Sequence, residues 1–346
     1  MNLGQVITKK TLIIILAFGI LTGCATQAKK PPQTKAVDQS IKIDGSSTVY
    51  PLTKTIVEEY QNSPENLTKN VPIAIEISGT GGGFQKFCAG ETHINNASRP
   101  ITTEEMEACK NQQVAYIELP IAFDAIAIVV NKQNNWINSI TTKQLKQILE
   151  AAAQEKITHW NQINPDFPNQ PIKLFGPGIN SGTYDYFTEA IMGEEGASRS
   201  DYFASEDDYI LSQKIGEDLN ALGYFSLAYE KKYGKMKLLA VDNGQGAVIP
   251  NPETIKNGEY QPLSRPLFIY VNAAAAQKNE NLRKLIDFYL EQASETANNL
   301  GYIALPAEAY ELDKTAFHAG KVGTAFEGKS QFNLTLYELL TQQKNY

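Results

Sequence analysis

Three short turns rich in Ser, Thr and Gly carry the residues best suited to chemistry in this 346-residue chain. They are Gly45-Ser46-Ser47-Thr48, the run from Ser78 to Gly83, and Ser181-Gly182-Thr183. Amides at the start of a helix lack intrahelical partners and lie at the positive end of its dipole, so together with nearby hydroxyls they suit an anion. Any one of these turns could simply cap a helix. Three in one chain favour an oxyanion-binding site.

Two arginines are candidates to add positive charge to such a site. Arg99, in Ala97-Ser98-Arg99-Pro100, has a planar fork that matches two oxygens of a phosphate-like group. Arg199 is the weaker candidate. For Arg99, a salt bridge on the surface is the alternative interpretation.

Other classes of function lack their residue patterns. The formal net charge of −7 argues against a general nucleic-acid binder. The chain has no P-loop for nucleotide hydrolysis and no Gly-x-Ser-x-Gly elbow for a serine hydrolase. Its three histidines are isolated, and no His, Cys and carboxylate cluster has zinc-ligand spacing. We therefore expect no catalytic residue, no cofactor and no metal site.

The turns are flanked by the elements that must position them. Ile41–Ile43 and Ile73–Ile77 have the alternation of strands, and each is followed by a hydroxyl-rich turn and then a helix, near Pro51 and Phe84. This strand-turn-helix order predicts an α/β sheet whose ligands bind at the carboxyl ends of the strands. Further strands are predicted at 123–131, 172–175, 222–228, 235–241 and 267–271, with helices at 141–153 and 281–297 and a mixed tail from 311 to 346.

The N-terminus predicts export. Lys9 and Lys10 precede the apolar run Leu12–Leu21, which is short for a membrane span but suits a signal peptide. The run ends in Leu21-Thr22-Gly23-Cys24, which resembles the bacterial lipobox. We expect a signal peptide over 1–23, a lipidated Cys24 that anchors the protein to a membrane, and a flexible tether over 24–40. A plain signal peptide with an incidental Cys is the alternative.

Two cysteines remain in the mature chain. An exported protein can meet an oxidising compartment, so Cys88 and Cys109 could form a disulfide. Two buried reduced thiols fit the sequence equally well.

Several motifs in combination resemble a known family, the periplasmic phosphate-binding protein of the Pst-type ABC transporter. The resemblance runs from about Ile41 past Tyr310. The motifs are IDGSSTVYPL (43–52), SGTGGGF (78–84), ASRPI (97–101), FGPGINSGTYDYFTEAI (175–191), ASRSDYFASEDDYIL (197–211) and LSRPLFIYV (263–271).

The resemblance implies an α/β, two-lobed type II periplasmic-binding-protein fold with two crossover hinge strands. The first lobe would comprise 41–125 plus 268–346, and the second 126–267. FDAIAIVVN (123–131) and LFIYV (267–271) would be the crossovers. The implied partners are inorganic phosphate, the permease subunits of an ABC transporter and, through the lipid anchor, a membrane. We expect a monomer in the periplasm or another extracytoplasmic space.

Carried over by motif, the phosphate-binding residues lie in the three turns and at Arg99. They would be Ser47, Thr48, Ser78, Thr80, Arg99, Ser181, Gly182 and Thr183.

The chain departs from the best-known branch of this family at two positions. That branch has an Arg where this chain has Pro177, and an Asp where this chain has Arg99. The Asp accepts the proton of hydrogen phosphate and rejects sulfate. We expect Asp124 or Asp185 to supply the acceptor here, and Arg99 to supply the charge.

The sequence thus predicts a non-enzymatic, lipid-anchored phosphate-binding protein that delivers its ligand to an ABC permease. A binder of sulfate, molybdate or tungstate is the first alternative, because a site with donors alone favours a fully ionised group. A secreted phosphoester hydrolase that uses one of the serines is a second, although no activating His or metal cluster accompanies them. A sensor or scavenger on the same fold is a third.

Overall fold

The computed structural model describes residues 40–64, 71–179, 181–230, 234, 236–329, 331 and 334–345. The predicted signal peptide, Cys24 and the predicted tether up to residue 39 lie outside these residues. Within the described ranges, no helix is both long enough and apolar enough to cross a membrane.

A mixed sheet of nine strands forms the centre of the described chain. Its strands are β1 (Ile41–Gly45), β2 (Ile73–Ile75), β3 (Ile94–Ala97), β4 (Tyr116–Asn131), β6 (Lys173–Gly176), β7 (Phe203–Ala204), β8 (Ala221–Ser226), β9 (Met236–Leu238) and β12 (Ser264–Asn272). They are arranged in the order β2-β1-β3-β12-β4-β8-β6-β7, and β9 also pairs with β4. A smaller sheet joins β5 (Ser139–Thr141), β10 (Ala240–Asp242) and β11 (Ala247–Val248).

Helices connect these strands. They are α1 (Tyr50–Asn62), α2 (Gly79–Cys88), α3 (Thr103–Asn111), α4 (Thr142–Leu149), α5 (Gly182–Met192), α6 (Asp208–Glu217), α7 (Leu227–Glu230), α8 (Pro252–Lys256), α9 (Ala273–Lys278), α10 (Glu280–Leu300), α11 (Ala307–Ala319) and α12 (Leu336–Asn345). Parallel pairing of β1 with β2 and β3, and of β6 with β8, follows the predicted strand-turn-helix order.

The predicted helices form where an apolar stripe meets a good N-terminus. In α1, Leu52, Ile56 and Tyr60 are buried on one face, and Pro51 stands in the first turn, where a missing amide hydrogen costs no intrahelical bond. In α10 the expected stripe, including Leu285 and Tyr289, is buried, and the helix packs chiefly against α1. Both predicted helices are confirmed.

Strand β4 is the longest strand, at 16 residues, and it changes partners along its length. Its first part, from Tyr116 to Ala125, pairs antiparallel with β12. From Ile126 onward it pairs with β8 and β9 instead. The change falls at the predicted boundary between 125 and 126, so β4 runs from one half of the sheet into the other, as a crossover strand would. The predicted division of the chain into lobes at exact residues stays a prediction.

Cys88, at the end of α2, forms a disulfide with Cys109 of α3. The two cysteines are 21 positions apart in sequence, and the chain between them includes β3 and Arg99. The disulfide therefore ties the Gly-rich helix α2 to the helix that follows Arg99.

The predicted mixed tail contains most of α11 and all of α12, and a hydrogen bond joins the two helices. The side-chain amide of Gln343 donates to Asp313 Oδ1 at 2.7 Å. In the described chain, the other carboxyl oxygen, Asp313 Oδ2, and the amide oxygen Gln343 Oε1 are buried without a partner. A proton on Asp313 Oδ2 that is donated to Gln343 Oε1 would give each of these two oxygens a partner. Burial raises the pKa of Asp313 well above its usual range, and nearby Glu118 adds to this. We therefore expect Asp313 to be protonated.

Replacing Asp313 by Asn tests this protonation state. Because the raised pKa means that the folded chain binds a proton that the unfolded chain releases, wild-type stability falls as pH rises from the ordinary carboxyl range toward the raised pKa. Asn carries the same hydrogen at every pH. The free energy of unfolding of Asp313→Asn should therefore exceed that of wild type at pH 8 by on the order of 1 kcal/mol and converge with it near pH 4.

Urea titrations between pH 4 and 9 measure this difference, with exposed Asp166→Asn as the control. Parallel stability curves for wild type and Asp313→Asn would show that Asp313 is ionised in the folded protein.

Candidate functional site

The three hydroxyl-rich turns all lie at starts of helices that follow strands. The turn at Ser46–Val49 separates β1 from α1, and Ser78 immediately precedes α2. Ser181 is the N-cap of α5, and its hydroxyl accepts a hydrogen bond from the Thr183 amide at 3.2 Å. The Thr48 amide likewise donates to Ser46 Oγ. At Ser46 and Ser181 the hydroxyl satisfies an otherwise unpaired amide near a helix start, whereas Ser78 makes no capping hydrogen bond.

The turns converge on one point. The hydroxyl oxygens of Thr48 and Thr183, 135 residues apart in sequence, lie 3.0 Å from each other. Thr80 Oγ1 lies 3.2 Å from Ser98 Oγ. Gly182 joins the two pairs, because a Cβ at this position would lie 2.0 Å from Ser98 Oγ and 2.5 Å from Thr80 Oγ1. We call Thr48, Thr80, Ser98, Gly182 and Thr183 the hydroxyl cluster.

Arg265, on β12, binds the hydroxyl cluster directly. One of its terminal nitrogens donates to Thr183 Oγ1 at 2.7 Å and to Thr48 Oγ1 at 3.2 Å. The other donates to the carbonyl of Gly182 at 2.7 Å. The guanidinium is fully buried and lies 5.5 Å from the ring centre of Tyr186, a cation–π distance.

Sequence reasoning missed Arg265, which it treated only as part of the LSRPLFIYV motif. A signal was present, because an Arg inside an apolar run that predicts a buried strand requires a partner. The partner, however, comes from another strand and cannot be read from local sequence.

Contact with Arg265 restricts where the hydroxyl hydrogens of Thr48 and Thr183 can point. Arginine can only donate, so the oxygens of Thr48 and Thr183 act as acceptors toward it. One of these two hydroxyls can donate to the other, 3.0 Å away, which leaves one of their hydrogens for another acceptor. Thr80 is similar, because its oxygen accepts the Ser98 amide at 3.2 Å. Each of the two hydroxyl pairs can therefore present one neutral O–H donor to an anion, and a buried cation contacts the Thr48–Thr183 pair.

Asp124 balances the charge of Arg265. Its Oδ2 accepts from Arg265 at 3.2 Å, and its Oδ1 accepts the Ser226 hydroxyl at 2.8 Å. Burial raises the pKa of Asp124, while Arg265 and Ser226 act in the opposite direction. Asp208 lies at the start of α6. Burial raises the pKa of Asp208 to about 7, and the neighbouring carboxylate of Asp124 contributes to this rise.

Arg99 directly follows Ser98 in sequence, but its side chain binds other partners. Its terminal nitrogens donate to the two carboxyl oxygens of Glu105 at 2.9 and 3.0 Å, and its side chain is only 3% exposed. Its described hydrogen bonds go to Glu105 and the Pro100 carbonyl, and none of them goes to the hydroxyl cluster. Arg199 pairs with Asp201 and with backbone carbonyls of 148 and 157.

The remaining predicted site residues differ in their contacts and burial. Ser181 is buried at the start of α5, whereas the Ser78 hydroxyl donates to Asp44 at 2.8 Å and so turns toward that carboxylate. Ser47 lines a cavity of about 470 Å³ together with Tyr50, Ile77 and the acidic residues 206–208. Asp185, in the first turn of α5, is buried; burial and the neighbouring Glu195 raise its pKa to about 7.

Comparisons with known proteins identify relatives of this chain. A PBP superfamily domain model matches residues 30–293. The chain is 54% identical over 317 residues to Protein SphX of a Synechocystis species, covering 91% of this chain and 92% of the relative. It is 36% identical to the phosphate-binding protein PstS of Staphylococcus saprophyticus, covering 78% and 82%.

Among solved structures, a possible phosphate-binding protein from Planctomyces limnophilus matches with a TM-score of 0.64 and 36% identity. The match covers 83% of this chain and 100% of that one.

The close approach at Gly182 predicts a steric effect on anion binding. In Gly182→Ala the new methyl group would clash with Thr80 and Ser98, and relieving such overpacking typically costs about 1–3 kcal/mol. We expect the affinity for an oxyanion to fall by about 10- to 100-fold. Gly81→Ala is the matched control, because a Cβ there makes only an ordinary contact, 3.6 Å from Arg99. Equal affinities of the two variants would contradict the convergence of the turns.

Proposed function

The chain belongs to the PstS-type phosphate-binding proteins of the PBP superfamily, and we propose that it is an exported receptor that passes inorganic phosphate to an ABC permease. Its mixed α/β fold is the two-lobed fold of periplasmic phosphate-binding proteins. Delivery to a permease is supported by this membership alone. Anchoring through Cys24 is supported by Leu21-Thr22-Gly23-Cys24, and the mass of the mature N-terminus tests it.

The observation that carries the proposal is the contact of Arg265 with Thr48 and Thr183. It combines one buried cation with hydroxyls from two of the turns, and Gly182 lies close to the Thr80 hydroxyl of the third. Each hydrogen bond to a charged acceptor contributes about 1.5–3 kcal/mol, so a few such bonds are enough for tight binding of a desolvated anion. In this proposal Arg265 supplies the charge that the sequence assigned to Arg99, and the neutral donors at 47–48, 80 and 181–183 surround the ligand.

Asp124 is the better placed of the two candidate proton acceptors. Hydrogen phosphate has an O–H that needs an acceptor, whereas sulfate has none. Asp124 touches the same guanidinium nitrogen as Thr48 and Thr183, so it lies at the cluster. An ionised Asp124 would pair with hydrogen phosphate and repel sulfate. Asp185 remains the alternative acceptor.

Two observations weigh against the rival functions. A phosphoester hydrolase needs a base beside its nucleophile. The described side-chain partners of Thr48 and Thr183 are each other and Arg265. The Ser181 hydroxyl accepts the Thr183 amide, and among the described residues no His or carboxylate is hydrogen-bonded to it. A binder of sulfate, molybdate or tungstate needs no proton acceptor, so Asp124 would serve it only as the counter-ion of Arg265. A sensor on the same fold would bind the same anion.

Calorimetry on the mature domain tests the ligand and the source of charge together. We expect wild type to bind phosphate and to bind sulfate at least 10-fold more weakly. Replacing a whole ion pair leaves no buried charge unpaired, so Arg265→Gln with Asp124→Asn should fold. This double variant should lose at least 100-fold in phosphate affinity, whereas Arg99→Gln with Glu105→Gln should lose less than 10-fold. No heat from wild type with phosphate would refute the proposed function. A larger loss of phosphate affinity in Arg99→Gln with Glu105→Gln than in Arg265→Gln with Asp124→Asn would indicate that Arg99 supplies the charge.

Single substitutions identify the acceptor. Asp124→Asn should narrow the preference for phosphate over sulfate by at least 10-fold, which corresponds to about 1.4 kcal/mol, because the amide can donate to sulfate. Asp185→Asn should leave the preference within about threefold of wild type. Paired titrations of each variant with both anions measure the ratio. If only Asp185→Asn narrows it, Asp185 is the acceptor.

A further inference from the structure

Arg99 has carboxylates on two sides of its guanidinium. The two terminal nitrogens face Glu105, at 2.9 and 3.0 Å. The remaining nitrogen, Nε, points toward Glu195, whose Oε2 lies 3.8 Å away. Nε is buried and makes no hydrogen bond to any described residue. Its charge is thus shared between a close partner and a more distant one.

The two carboxylates come from different parts of the fold. Arg99 follows β3 and Glu105 lies in α3, both within the predicted first lobe. Glu195 follows α5, within the predicted second lobe. The Arg99–Glu195 contact therefore joins the same two halves of the chain as the hydroxyl cluster, but through charges that do not touch it.

The contact with Glu105 is held in place locally. Glu105 belongs to a capping box, in which its Oε2 also accepts the Thr102 amide at 2.9 Å while its own amide donates to Thr102. Arg99 thus keeps a neutralising partner whether or not Glu195 is near. Breaking a buried ion pair is costly chiefly when it leaves a charge uncompensated. The Arg99–Glu195 contact can be broken and re-formed without that penalty.

Glu195 is also suited to a contact that breaks. Its side chain is 43% exposed, so water can solvate it when the halves separate. Partly exposed pairs of this kind contribute modestly to stability and are screened by salt. Such a contact can bias an equilibrium between open and closed lobes without locking it.

We propose that Arg99 is a positioning residue that favours lobe closure through Glu195 and slows release of the bound anion. The inference rests on the proposed function, since release has meaning only for a protein that binds an anion. It assigns Arg99 a role in holding the lobes together, separate from the charge that Arg265 provides to the ligand.

Release rates test the proposal. Glu195→Gln removes the charge and keeps the shape, and adjacent exposed Glu194→Gln is the matched control. Using radiolabelled phosphate and an excess of unlabelled phosphate, we expect Glu195→Gln to release about 3- to 10-fold faster than wild type, a change that corresponds to about 0.7–1.4 kcal/mol. Glu194→Gln should match wild type. Added salt should accelerate release from wild type more than from Glu195→Gln.

A double-variant comparison separates this role from a general loosening of the fold. With Arg99→Gln and Glu105→Gln already in place, Glu195→Gln should have no further effect on release, because its partner is gone. An equal effect in both backgrounds would overturn the proposal, as would release from Glu195→Gln at the wild-type rate.

Small-angle X-ray scattering provides a second readout that needs no ligand. We expect a larger radius of gyration for anion-free Glu195→Gln than for anion-free wild type, and equal radii would count against the proposal. Failure of wild type to bind phosphate would refute the proposed function instead. In that event the scattering comparison still decides whether the Arg99–Glu195 contact favours closure.

Discussion

The ion pair between Arg265 and Asp124 is the interaction on which the rest of the site depends. The two residues are directly opposite each other in the register of β12 and β4, so backbone pairing brings them together. Both are almost completely buried, where a charge is costly unless it is paired. Arg265 also holds Thr48, Thr183 and the Gly182 carbonyl, so a single guanidinium organises segments far apart in sequence.

The position of this pair on β4 and β12 explains why it can serve a two-lobed receptor. At Ile126 strand β4 leaves β12 and joins β8, so Asp124 lies two residues before the change of partner. A cation at this place can reach the turn before α1 and the start of α5 together. The pair is held together by the backbone pairing of β4 with β12, whereas the Thr48–Thr183 contact joins only the side chains of two separate turns.

Neutral donors around one cation give the site a different character from a cluster of arginines. Hydroxyls that accept from Arg265 cannot donate to it, so their hydrogens point away from the guanidinium before any ligand arrives. The surrounding carboxylates at 124, 185 and 208 all have raised pKa values through burial. In the proposed function, a site of this composition would distinguish anions by their hydrogen-bonding pattern more than by their charge.

The sequence by itself determined the local features: the hydroxyl-rich helix starts, the apolar stripes of α1 and α10, and the family motifs. These depend on residues close together in the chain, such as Ser181 capping the amide of Thr183. Only the tertiary structure decided which charge meets the hydroxyls. Arg99 and Arg265 each stand beside a Ser and a Pro in sequence, but Glu105 lies six residues from Arg99 and occupies it, whereas the register of β12 on β4 turns Arg265 into the cluster. Strand register is fixed by long-range packing, so no local pattern could distinguish the two arginines.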